Sequence, residues 1–127
     1  MDQVQRKCLI VDDSSVIRNV AERIFDSMGF EVVHAESGQQ AREKCMNGAP
    51  ELILVDWRLP EEDSTDLVRD LRSMGSDTSR PTIVYLTSEM DVASMTRAKR
   101  AGADAFFMKP FDRASLSTKM RELGLAA

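Results

Sequence analysis

Five short apolar runs, each breaking off at a polar or charged residue, constrain this chain more than any other feature. Lys7 to Val11 ends at Asp12-Asp13, Leu52 to Val55 at Asp56, Thr82 to Leu86 at Thr87, and Ala105 to Met108 at Lys109. The remaining run, Glu31 to Ala35, ends at Glu36. Each run is strand length and mostly apolar throughout, the pattern of strands covered on both faces. Between them lie segments with helical spacing. Ser14 or Ser15 can cap a helix in which Val16, Val20, Ile24 and Met28 recur every fourth residue, widened by Ile17, Ala21 and Phe25 and stopped by Gly29. Ser37 opens a short helix through Ala41 and Cys45 to Asn47-Gly48, and another carries Leu67, Leu71 and Met74 before the break at Arg80-Pro81. A helix near Asp91 to Ala101 and one from Asp112 to Leu123, with Leu116, Met120 and Leu123 inward, complete the alternation.

Strands and helices alternating in this way predict an α/β fold, a doubly wound five-stranded parallel sheet with helices on both faces. Crossovers are right-handed, and ligands bind beyond the carboxyl ends of the strands. No Gly-x-Gly-x-x-Gly or Walker phosphate loop follows a strand, which argues against nucleotide-binding versions of such a sheet. The 127 residues allow one domain, 1–127, with no linker or repeat. Net charge is −4, so neither nucleic acid nor an anionic membrane is an expected partner. Cys8 and Cys45 lack metal-type spacing and read as buried free thiols of a reducing compartment. The polar start, Met1 to Lys7, and the lack of a membrane-length apolar run predict a soluble cytoplasmic protein.

The chemistry is carried by the strand ends. Asp12, Asp13, Asp56, Thr87 with Ser88, and Lys109 all fall at carboxyl ends, which a parallel sheet gathers on one edge. Clustered carboxylates raise one another's pKa, and a hard divalent cation such as Mg²⁺ relieves the conflict. Asp56 is then placed to act as a nucleophile toward phosphorus, with the metal, Thr87 and Lys109 neutralising the phosphoryl oxygens.

With these residues in view, the chain resembles the receiver domain of bacterial two-component response regulators, most closely the stand-alone CheY-like kind. The resemblance runs through Val11-Asp-Asp-Ser-Ser15, Leu54-Val-Asp-Trp57, Pro60, Leu86-Thr-Ser88 and Lys109-Pro-Phe111, over essentially the whole chain. It implies a flavodoxin-like three-layer sandwich with strand order 2-1-3-4-5 and a single receiver domain over 1–127. Asp56 would be the phosphoacceptor, supplied by a sensor histidine kinase or a histidine phosphotransfer protein. Asp12, Asp13, Asp56 and the backbone carbonyl of Arg58 would hold Mg²⁺. Lys109 would pair with the phosphoryl group, Thr87 would swing toward it, Phe106 would follow inward, and the Lys109–Pro110 bond would be cis. Such a protein is a phosphoacceptor switch that catalyses only its own phosphorylation and dephosphorylation. It would signal to a downstream protein through the Asp91 to Leu123 face, in the flagellar motor or in a stress or cell-cycle relay.

Three departures from the family pattern stand out. Asp63-Ser64 replaces the Asp-Gly found in many receivers, which predicts a remodelled loop after Asp56. The switch aromatic is Phe106 rather than tyrosine. Arg58 and Glu89 flank the expected mouth of the site, and an ion pair between them would screen the phosphorylated carboxylate from water. Other readings compete. Arg97, Lys99 and Arg100 are either a solvated helix face or a cyclic di-GMP contact of the kind some CheY-like relatives use. A phosphate sink, a pseudo-receiver and a Mg²⁺-dependent phosphatase are further alternatives. The last lacks its group's usual Asp-x-Asp, since Asp12 and Asp13 are adjacent. His34 reads as a solvated or edge-facing strand residue, and Trp57 as an anchor of the loop beside Asp56.

Overall fold

The structure is a computed structural model, and it describes residues 6–46, 48, 50–74, 80–88 and 91–125. Five strands and five helices alternate: β1 (Arg6–Val11), α1 (Ser15–Ser27), β2 (Phe30–Ala35), α2 (Gly38–Met46), β3 (Leu52–Asp56), α3 (Ser64–Ser73), β4 (Thr82–Thr87), α4 (Val92–Ala101), β5 (Ala105–Met108) and α5 (Arg113–Glu122). The strands form one sheet in the order β2-β1-β3-β4-β5, every neighbouring pair parallel. Fold class and strand order agree with the sequence reading.

The apolar runs divide their side chains by the two-residue period of a strand. Leu9, Val11, Ile53, Val55, Ile83 and Tyr85 face one side, where Ala41, Cys45, Leu67, Val68, Leu71 and Ala98 meet them from α2, α3 and α4. Cys8, Ile10, Leu52, Leu54, Val84 and Leu86 face the other, packed by Ala21, Ile24 and Phe25 of α1 and by Leu116 and Met120 of α5. Burying one such aliphatic side chain contributes about 2 kcal/mol, so the two half-cores hold the sheet between its helix layers. Both cysteines are buried free thiols. Among the described residues no helix is long and apolar enough to cross a membrane.

Short polar side chains start the helices. Ser14 caps α1, its hydroxyl accepting from the Ile17 amide, and Asp63, Asp91 and Asp112 cap α3, α4 and α5. Asn47, expected to close α2 with Gly48, lies outside the described residues.

One helix turns differently from its apolar pattern. Val16 and Val20, which begin the every-fourth stripe of α1, are 68% and 41% exposed, while Ala21, Ile24 and Phe25 are buried. A step of four residues overshoots the 3.6-residue turn by about 40°, so the strict stripe winds off the core. Ile24 of the stripe and Ala21 and Phe25 beside it carry the packing, and Phe25 meets Phe30 edge to face at 5.7 Å. Met74 likewise is 39% exposed at the end of α3.

Candidate functional site

The parallel sheet delivers Asp12, Asp56, Thr87 and Lys109 to one edge, and backbone bonds fix each there. The Asp12 amide donates to the Ala35 carbonyl at 3.0 Å, the Trp57 amide to Leu86 at 2.7 Å, and the Lys109 amide to Thr87 at 2.9 Å. The Lys109–Pro110 peptide is cis. Asp12 also turns one oxygen back on its own chain, Oδ1 accepting from the Ser14 amide at 2.9 Å. Its carbonyl accepts from the guanidinium of Arg18, whose Nε donates to His34 Nδ1 at 3.2 Å. His34 Nε2 lies 3.0 Å from Glu22, so this histidine sits on the edge strand within a polar chain between α1 and β2.

At the centre, Lys109 Nζ lies 2.7 Å from Asp56 Oδ1 and 2.9 Å from Asp12 Oδ2. The contact with Asp56 is a hydrogen bond. The one with Asp12 is a close ion pair to its buried Oδ2. Burial pushes the Asp56 carboxyl up to about 6, against the Lys109 hydrogen bond and with the help of the Asp12 charge. Burial depresses the Lys109 ammonium, but its bonds to Asp56 and Asp12 outweigh that and hold its pKa above the ordinary lysine value.

Asp13 completes an acidic cluster. One carboxylate oxygen from each of Asp12, Asp13 and Asp56 lies within 4.8 Å of the others, with Asp13 exposed and the other two buried. Three carboxylates against one ammonium leave the cluster negative. All-oxygen donors with an open side match a hard divalent cation such as Mg²⁺. The cluster opens into a cleft of about 550 Å³ lined by Asp13, Asp56, Trp57, Arg58, Pro60 and Lys109, among others.

Ser64 stands in the loop after Asp56 where many receivers have glycine. Ser64 is the first residue of α3, is buried, and donates its hydroxyl to the Asp56 carbonyl at 2.7 Å. Asp63 caps that helix and also accepts from the Thr65 hydroxyl at 2.6 Å. The left-handed residue of the loop is Glu61, with φ 69°. Arg58 stacks its guanidinium over the Trp57 ring, 4.6 Å from the centroid. Its expected partner Glu89 lies outside the described residues.

Thr87 ends β4 and is buried. Phe106 is half-buried and packs edge to face on Tyr85, 6.2 Å between centroids. Along the Asp91 to Leu123 face, Val92 is 78% and Met108 41% exposed. Arg97, Lys99 and Arg100 are exposed on α4. At about 100° per residue Arg97 and Arg100 share a face of α4, while Lys99 starts from the opposite side.

The arrangement therefore unites Asp12, Asp13, Asp56 and Lys109, with Thr87 at the neighbouring strand end. It adds Arg18, Ser64 and Tyr85, whose hydroxyl reaches the Trp57 carbonyl at 3.4 Å. Sequence reasoning did not find these supporting contacts, because each acts across elements; Ser64 was noted only for standing in a glycine's place.

A doubly wound sheet with this acidic edge and lysine defines a class of phosphoacceptor switches. The chain belongs to the response regulator receiver domain family, whose model matches residues 8–121. It is 34% identical over 116 residues to chemotaxis protein CheY1 of Helicobacter pylori, covering 90% of this chain and 93% of that one. In structure it resembles a CheY-like receiver domain protein of Methanospirillum hungatei, with TM-score 0.85 and 27% identity, over 94% of both chains. It resembles chemotaxis protein CheY4 of Vibrio cholerae equally, at TM-score 0.85 and 27% identity, over 94% of this chain and 98% of that one. The molecule is a CheY-like receiver of two-component signalling.

Proposed function

We propose that this protein, as a single receiver domain, accepts a phosphoryl group on Asp56 and signals by binding another protein. The observation that carries the reading is Lys109 held between the buried carboxylates of Asp56 and Asp12, with Asp13 completing the acidic cluster beside them. The donor is a phosphohistidine of a sensor kinase or of a histidine phosphotransfer protein. An Asp56 carboxylate oxygen forms the new O–P bond as the donor's N–P bond breaks, and no protein base is needed once the carboxyl is ionised. Asp12, Asp13, Asp56 and the Arg58 carbonyl would hold Mg²⁺, which would draw charge from the phosphoryl oxygens. Lys109 shifts from Asp56 Oδ1 to pair with the phosphoryl group, since the carboxylate loses its charge on forming the O–P bond and the negative charge now sits on the phosphoryl oxygens. Thr87 and Phe106 relay the change toward the Asp91 to Leu123 face, biasing an existing equilibrium between two arrangements. The place of action is the cytoplasm.

Intact mass after incubation with acetyl phosphate and Mg²⁺ tests this directly. The wild type gains one phosphoryl group, while Asp56→Asn and a sample without Mg²⁺ gain none. A wild type that stays unmodified with acetyl phosphate and with a kinase lysate overturns the phosphoacceptor reading in favour of a pseudo-receiver.

A further inference from the structure

The loop after Asp56 is gripped at its far end by residues outside the cleft. Leu59 and Glu62 form an antiparallel bridge, closing a turn with Pro60 second and Glu61 third. Proline followed by a residue of positive φ is the pattern of a type II turn, in which the third place ordinarily goes to glycine. Glu61 holds that place at φ 69°, so the turn is supported by more than its own sequence.

The support is Arg42 of α2. Its NH1 and NH2 donate to the two Glu62 carboxylate oxygens at 3.1 and 2.9 Å. Its Nε and NH2 also donate to Asp70 Oδ2 at 3.1 and 2.7 Å. One guanidinium thus ties the loop to α2 and α3 in a geometry that bidentate arginine suits. Gly38, the first residue of α2, makes room for the grip: a Cβ there would stand 1.6 Å from Glu62 Oε1.

We infer that Arg42 is a positioning residue for the cation site. Through Glu62 it fixes the loop that carries Arg58, whose backbone carbonyl is the ligand this loop supplies, although Arg42 touches no ligand itself. The inference rests on the reading of the acidic cleft as a Mg²⁺ site. Positioning and plain electrostatics differ in sign here. Removing the Arg42 charge makes the surroundings more negative and by field alone strengthens cation binding, whereas release of the loop weakens it. Gly38→Ala changes no charge, and it displaces only the end of the Glu62 side chain while adding helix propensity to α2.

The test is Mg²⁺ titration of wild type, Arg42→Met and Gly38→Ala, followed by emission of Trp57, the one tryptophan, and by calorimetry. Urea unfolding in EDTA accompanies it. Both variants bind Mg²⁺ about tenfold more weakly, the scale on which outer supports act at metal sites. Gly38→Ala does so without loss of stability in EDTA. If the wild type binds and both variants match it within about twofold, Arg42 is a structural clamp only and the inference fails. A wild type that does not bind Mg²⁺ overturns the site reading itself, and the inference with it.

Discussion

Lys109 stands between two buried carboxylates, and its ammonium is the nearest positive charge to both. Breaking such a buried pair leaves uncompensated charge and costs about 3 kcal/mol. Lys109→Met is therefore expected to lower the urea midpoint in EDTA, leaving Asp12, Asp13 and Asp56 to repel one another. Added Mg²⁺ then recovers more stability in the variant than in the wild type, because a ligand of the folded state alone stabilises it by mass action. Equal recovery in both proteins would show that Lys109 does not screen the carboxylates from a cation, and would overturn its role as their counterion. At this scale the acids and Lys109 were legible, since each ends an apolar run and strand ends are local features. Ser64 was read only as a lost glycine. Its hydroxyl reaches the Asp56 carbonyl across eight residues of chain, and no spacing rule announces such a bond. Arg42 and Glu62 meet across twenty residues, with the same consequence.

Among the elements, the strands followed the sequence more closely than the helix faces did. A run such as Leu52 to Asp56 is buried throughout, so an error of rotation has no meaning for it. A helix has a direction to get wrong, and α1 shows how: its apolar residues cover more of the circumference than the core accepts. Val16 and Val20 remain outside although they are apolar like the buried Ile24. Replacing both with serine is expected to change stability by no more than about 1 kcal/mol, the scale of surface substitutions. Phe25→Ala, which empties a fully buried site against Phe30, is expected to cost about 4 kcal/mol. Urea midpoints of the two variants measure the contrast, and comparable losses would place the buried face of α1 where the every-fourth stripe put it.

For the whole molecule, the doubly wound topology was legible because alternation, strand length and the two-sided burial of the runs all require it. The same topology seals one cysteine on each side of the sheet, Cys8 with the α1 and α5 layer and Cys45 with the α2, α3 and α4 layer. Burial raises both thiols, Cys8 well above its ordinary value and Cys45 from 9.0 to about 11. In the unfolded chain Cys45 ionises near 9.0, while in the folded chain it keeps its proton until about 11. Over that window the folded state binds more protons, so stability falls as pH rises; below it the contribution is intact. At about pH 10 the Cys45 share of the loss comes to about 1 kcal/mol. Other groups titrate in the same range, and Cys45→Ala separates them: between about pH 8 and pH 10 the wild type should lose about 1 kcal/mol more stability than the variant. Equal losses would mean that the Cys45 thiol ionises as readily folded as unfolded, and that the layer over β1 and β3 admits water to it.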